Sequence, residues 1–163
     1  MSLSIKAGDL IHRDAATMSV DLSVDEAIAW LHDNRTSSAP VVRQDNELVG
    51  NFSESDALRY LSDQYYYQRF SDQPAKVADL MRPHPFCISE NVDLFTLASL
   101  FLQHRYRKIP VVDHQGRLQG VIRRRDVLQK MTEMMDQHQR EEQQKRQRPD
   151  IHNIVNHRFL LGG

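Results

Sequence analysis

One cysteine in 163 residues is the first scarcity. Cys87 has no partner for an intramolecular disulfide, and a lone thiol excludes a multi-cysteine zinc site. Apolar runs are only a few residues long, so no segment of the sequence is a candidate bilayer span. Net charge is scarce too. With 21 basic and 22 acidic side chains the formal sum is −1 at pH 7, which removes a global basic footprint for nucleic acid and leaves only a local patch. Gly and Pro number six each, too few for a collagenous or low-complexity chain. Met1–Leu10 lacks a basic-then-apolar leader pattern, so a soluble cytoplasmic protein is expected. There is no G-x-S-x-G, Walker loop or H-E-x-x-H, and a non-enzyme is expected. The eight histidines are scattered. His152 and His157 are five apart and do not share a helix face, so no metal site is expected.

What the chain does have is an internal repeat. A constant offset of 70 residues runs without a gap from Asp9 to Leu58 and gives 11 identities in 50 positions. It pairs Asp9 with Asp79, Ser19 with Ser89 and Arg35 with Arg105. Pro40-Val41-Val42 meets Pro110-Val111-Val112, and Leu48, Gly50, Asp56 and Leu58 meet Leu118, Gly120, Asp126 and Leu128. Each unit reads as β-α-β-β-α. A short extended segment (Ala15–Val20, Pro85–Ile88) precedes an amphipathic helix, with Val24, Ala27, Ile28 and Leu31 mirrored by Leu94, Leu97, Ala98, Phe101 and Leu102. Pro-Val-Val reads as a short strand with proline at its first position, and the second strand of the hairpin is Glu47–Phe52 or Arg117–Ile122. A last helix starts near Glu54 and Arg124.

These features set the expected organisation: repeat 1 over 1–61, a connector over 62–76, repeat 2 over 77–131, and a tail over 132–163. A unit of about 50 residues buries too little apolar surface to stand alone, so the two share a core. The connector holds Tyr65-Tyr66-Tyr67, Phe70 and Pro74. Asp136–Arg148 has no apolar residue, and Asp136/Arg140, Glu141/Lys145 and Glu142/Arg146 support a solvated helix that Pro149 stops. Asp150–Gly163 regains Ile151, Ile154, Val155, Phe159, Leu160 and Leu161, a segment able to dock.

The repeated Pro-Val-Val strand, followed by Val49-Gly50-Asn51-Phe52-Ser53-Glu54-Ser55-Asp56 and by Gln119-Gly120-Val121-Ile122-Arg123-Arg124-Arg125-Asp126, resembles the cystathionine-beta-synthase (CBS) domain. The tandem resembles a CBS pair, or Bateman module. The resemblance covers residues 9–61 and 77–131. It implies an α+β fold in which two pseudo-symmetric repeats pack as one module, with a C-terminal helical tail. It also implies a non-catalytic regulatory sensor that requires no cofactor, binds AMP, ADP or ATP in the inter-repeat cleft, associates as a homodimer and acts on an unknown protein target.

The resemblance assigns Asp56 and Asp126 to the ribose, where two carboxylate oxygens match a cis-diol. The residues themselves leave a second reading open, because Ser53-x-x-Asp56 is also a capping-box pattern. Arg123 replaces the serine in repeat 2 and cannot accept a bond from a helix N-terminus. It either grips a phosphate or fills the second cleft. Phosphate candidates are Ser53, Arg107, Lys108, Arg123, Arg124 and Arg125. Charge supports an anion: residues 9–58 carry 3 basic and 10 acidic groups, residues 79–128 carry 8 and 5. Adenine candidates are Ala16, Thr17, Ala39, Phe86, Cys87 and Ile109. Two alternatives stand beside the sensor. One is a ligand-free CBS-pair interaction module. The other is a nucleic-acid regulator using the arginine run, which Glu141 and Glu142 in the tail oppose.

Overall fold

The structure, a computed structural model, describes residues 5–67 and 73–147. Phe70, Pro149, His152, His157 and the apolar segment 150–163 lie outside the described residues. Contacts divide the chain into two units, one ending at Val127 and one starting at Leu128, and each is taken by itself.

In the first unit the 70-residue offset becomes geometry. Repeat 1 runs through a 3-10 turn (Ala7–Leu10), β1 (Met18–Ser19), α1 (Val24–Asp33), β2 (Ser38–Val42), β3 (Leu48–Ser53) and α2 (Glu54–Tyr67). Repeat 2 runs through the single turn α3 (Val77–Leu80), β4 (Arg82–Pro83), α4 (Leu94–His104), β5 (Lys108–Val112), β6 (Leu118–Arg123) and α5 (Arg124–Gln147). The hairpins share one register, with Pro40 opposite Asn51 and Pro110 opposite Val121. β1 joins β2 in parallel through Met18 and Val41. Its counterpart is a single parallel bridge between Ile88 and Val111, so the expected extended lead Pro85–Ile88 is reduced to one pairing.

Local chemistry fixes the helix starts. Ser23 Oγ accepts from the Glu26 amide while the Glu26 carboxylate accepts from the Ser23 amide at 2.8 Å, a capping box. Asp93 accepts from the amides of Phe95 and Thr96 at the head of α4. Val24, Ala27 and Leu31 on α1, and Leu94, Leu97 and Phe101 on α4, are buried at helical spacing. The first of these faces packs with Met18, Val41 and Phe52. Full burial of each such large side chain stabilises by about 1.5–3 kcal/mol.

The repeats exchange their lead-in segments. Gly50 and Asn51 of β3 pair with Pro83 and Arg82 of β4. In the mirror relation Val121 of β6 pairs with His12, through bonds of 2.9 and 3.1 Å. Ser23 bridges to Lys76, and Lys6 bridges to Asp93. The segment that opens each repeat therefore completes the other. Two glycines permit the crossing. Gly120 has φ 149°, and a Cβ there would collide with the His12 carbonyl oxygen; a Cβ on Gly50 would collide with the Met81 side chain. The hairpins also touch at a Glu47–Arg117 bridge.

Two helices run further than their sequence suggests. α2 continues to Tyr67, so the expected connector begins as helix. α5 is continuous from Arg124 to Gln147, with no Gly or Pro to break it. In the unit from Leu128, Lys130 pairs with Glu133 at 3.1 Å, and Lys145 pairs three residues back with Glu142 at 3.2 Å, not four back with Glu141. No helix among the described residues is long and apolar enough to cross a membrane.

Candidate functional site

Two clefts lie between the repeats, and the 70-residue offset carries the wall of one onto the wall of the other. The wider, about 660 Å³, is bordered by the loop Asp14–Ala16, by Asn34–Ser38 and Pro40 of repeat 1, and by Arg107, Lys108, Val121 and Arg123–Arg125 of repeat 2. The narrower, about 440 Å³, is bordered by Arg82–Phe86, Arg105–Lys108 and Pro110 of repeat 2 and by Ser37, Ser38 and Asn51 of repeat 1. Both volumes fall in the range of about 300–1,000 Å³ common to small-molecule sites.

The backbone explains the placement. Arg35 and Arg105, identical at the offset, both take left-handed geometry after α1 and α4, with φ 48° and 54°, and they line the wider and narrower clefts respectively. Side chains alternate along a strand. Ala39 and Val41 face the core, so Pro40 between them faces the cleft. Ile109, Pro110 and Val111 repeat this. Ala39 and Ile109, expected beside adenine, are thus core residues, 1% and 0% exposed. Thr17 and Cys87 are on neither wall. Cys87 is exposed, and desolvation pushes its thiol above the ordinary value. Ala16 borders the wider cleft and Phe86 the narrower.

Of the phosphate candidates, Arg107, Lys108, Arg123, Arg124 and Arg125 converge on the wider cleft, joined by Arg35, and the one carboxylate on its wall is Asp14. The equivalents of Arg123-Arg124-Arg125 are Ser53, Glu54 and Ser55, none of which borders the narrower cleft. Lys108 Nζ donates to Thr36 Oγ1 at 2.8 Å. Burial and then the Arg123 charge hold its pKa below the ordinary lysine value. Arg107 and Lys108 border the narrower cleft as well, with Arg82 and Arg105, and that cleft adds the aromatic rings of Phe86 and Tyr106. Phe86 stacks with Tyr106 at 5.7 Å between centroids, and His104 lies 4.8 Å from Phe86.

The two aspartates differ sharply. Asp56 is 4% exposed. It accepts from the Ser53 amide at 3.0 Å and from Ser53 Oγ at 2.5 Å, and Arg82 Nε donates to its other oxygen at 3.3 Å. Ser53 Oγ also accepts from the Asp56 amide, so Ser53 and Asp56 form a closed capping box. Asp126 has a side chain 23% exposed, and His12 Nε2 lies 2.7 Å from its Oδ2. Arg123 approaches the other His12 nitrogen at 3.4 Å. Arg123 lines the wider cleft with Arg124 and Arg125. His12 and Arg82 were not legible as site residues. The clue is the offset itself, which makes them equivalent positions.

Swapped lead-ins, paired hairpins and two offset-related clefts define a tandem-repeat α+β module. The chain belongs to the CBS domain family: the family profile matches residues 7–63 and 77–133, and the tandem is a CBS pair. It is 30% identical over 125 residues to inosine-5'-monophosphate dehydrogenase of Methanocaldococcus jannaschii, covering 77% of this chain and 23% of that protein. It is 31% identical over 128 residues to the chloroplastic CBS domain-containing protein CBSX1 of Arabidopsis thaliana, covering 65% of this chain and 54% of that one. The chain thus spans only part of these relatives. Among solved structures, CBSX2 in complex with AMP superposes with a TM-score of 0.69 at 26% identity, covering 80% of this chain and 98% of that one.

Proposed function

We propose that this chain is a non-catalytic regulatory sensor of an adenine nucleotide, AMP, ADP or ATP, held in an inter-repeat cleft. The observation that carries the reading is the convergence of Lys108, Arg107 and Arg123–Arg125 from repeat 2 on the Ala16–Pro40 wall of repeat 1. Six cations facing one carboxylate favour a phosphate-bearing ligand. The AMP in the CBSX2 structure supports the same class of ligand. In this reading Asp126, which stands behind the Arg123–Arg125 wall and is engaged by His12 in this structure, takes the ribose hydroxyls once the imidazole is displaced, Ala16 and Pro40 border the base, and the arginines and Lys108 hold phosphate. Binding acts by favouring one arrangement of the repeats over another, and the long α5 is the lever toward a protein target in the cytoplasm. Leu58, Leu61 and Tyr65 line one exposed face of α2 and support a homodimer; Leu58→Glu should shift it toward monomer in sedimentation velocity.

A second reading, a ligand-free interaction module, is favoured by one observation: Asp56 is already satisfied by Ser53 and Arg82. A thermal-shift screen with AMP, ADP, ATP, NAD and S-adenosylmethionine separates the two. A ligand at about 100 times its Kd adds about 2.7 kcal/mol to the native state. A rise in Tm that disappears in Asp126→Ala supports the sensor. No shift with any ligand in a folded dimer leaves the interaction module.

A further inference from the structure

The two clefts are equivalent by sequence offset but not by chemistry, and one difference falls at a single pair of positions beside the two aspartates. His12 and Arg82 occupy the same place in the two exchanged lead-ins, each beside the aspartate of the opposite repeat. The imidazole, with Arg125 Nε standing off at 3.8 Å from the other oxygen, leaves Asp126 partly exposed. The guanidinium of Arg82, with Ser53, accounts for both oxygens of Asp56, whose side chain is 2% exposed. Guanidinium is always charged and does not release a carboxylate by losing a proton. The surroundings agree. Phe86 and Tyr106 stand where the wider cleft has Ala16 and Thr36, and stack on each other. The cavity there is about 440 Å³ against about 660 Å³.

Resting on the nucleotide reading above, we propose that the module binds one nucleotide per chain, in the wider cleft, whose Arg123–Arg125 wall runs directly into Asp126, and that Arg82, on the wall of the narrower cleft, is the residue that closes the other. Arg82 acts as an internal counter-ion in the place a ribose would take on Asp56. His12 is the permissive version of the same device, since its imidazole covers Asp126 only in part and leaves that side chain 23% exposed.

Isothermal titration with ATP and with AMP tests this on the full chain, in the wild type, in Arg82→His and in the reciprocal His12→Arg. The expected results are one molecule per wild-type chain, a second and weaker event in Arg82→His, and at least a tenfold loss of affinity in His12→Arg. Two molecules per wild-type chain would overturn the inference and leave the nucleotide reading intact. A folded Arg82→His that still binds one molecule would overturn the role of Arg82. If neither nucleotide binds any of the three proteins, the nucleotide reading falls and this inference with it. Circular dichroism of each variant establishes folding, and His12→Arg carries the test alone should Arg82→His unfold.

Discussion

Lys108 Nζ lies 2.8 Å from Thr36 Oγ1, and this bond ties repeat 2 to repeat 1 across the wider cleft. Its offset equivalents, Ser38 and Tyr106, make no such link among the hydrogen bonds of the described residues. Burial first, and Arg123 second, lower the Lys108 pKa. The ammonium is therefore disfavoured in the folded state, and that penalty is complete below the depressed folded pKa. It fades as pH rises from that value to the ordinary lysine value, where the unfolded chain also loses the proton.

Lys108→Met should therefore raise the Tm of the unliganded protein at pH 7, with the difference shrinking toward pH 10. The same change should weaken ATP about tenfold, as expected for one charge-assisted contact. A lower Tm at pH 7 would show that the Thr36 bond outweighs the crowding of charge.

The unequal settings of the two aspartates have a stability consequence. Asp56→Ala removes a buried carboxylate from two partners and should destabilise by about 1–3 kcal/mol in urea unfolding. Asp126→Ala breaks a partly buried contact with His12 and a looser one with Arg125, and should stay below about 1 kcal/mol. Equal losses would mean that burial of Asp56 contributes nothing.

Gly120→Ala should be among the most damaging small changes. A Cβ there meets the His12 carbonyl and the Ile11 side chain, and the φ of 149° is one that residues with side chains rarely adopt. A loss of about 1–3 kcal/mol is expected from the strained backbone alone, with faster amide exchange at His12 and Val121. Unchanged exchange at those two amides would show that the crossing does not depend on the glycine.

Cys87 should alkylate more slowly than a free thiol at pH 7.5, because desolvation raises its pKa and the thiolate is the reactive form. Nucleotide should not protect it, since it borders neither cleft. Protection by ATP would place the base beside Cys87 after all.

Much of this was legible in one sequence because repetition doubles every signal. The gapless offset located both hairpins and the helices that start at Glu54 and Arg124. The arginine convergence followed from the charge imbalance between repeats. The partners of the aspartates were not legible. His12 and Asp126 are 114 residues apart, and nothing local to either announces the other. The alternation that turns Pro40 outward and Ala39 inward depends on which strand face meets the core, which a continuous apolar run such as Ala39–Val42 does not reveal. Ser53-x-x-Asp56 admitted two readings, and the Arg82 contact that closes it lies on another element.

The exchange of lead-ins has an implication for how such a chain can be divided. Because the trade is reciprocal, it is closed, like the isologous contact of a two-fold dimer. A fragment holding one repeat would present a lead-in with no strand to join and a strand edge with no lead-in, so two copies of it would complement each other. Covalent fusion replaces that encounter with an intramolecular one at high effective concentration. Fusion also lets the two halves diverge, so that His12 and Arg82 can differ where two identical subunits would be bound to carry the same residue.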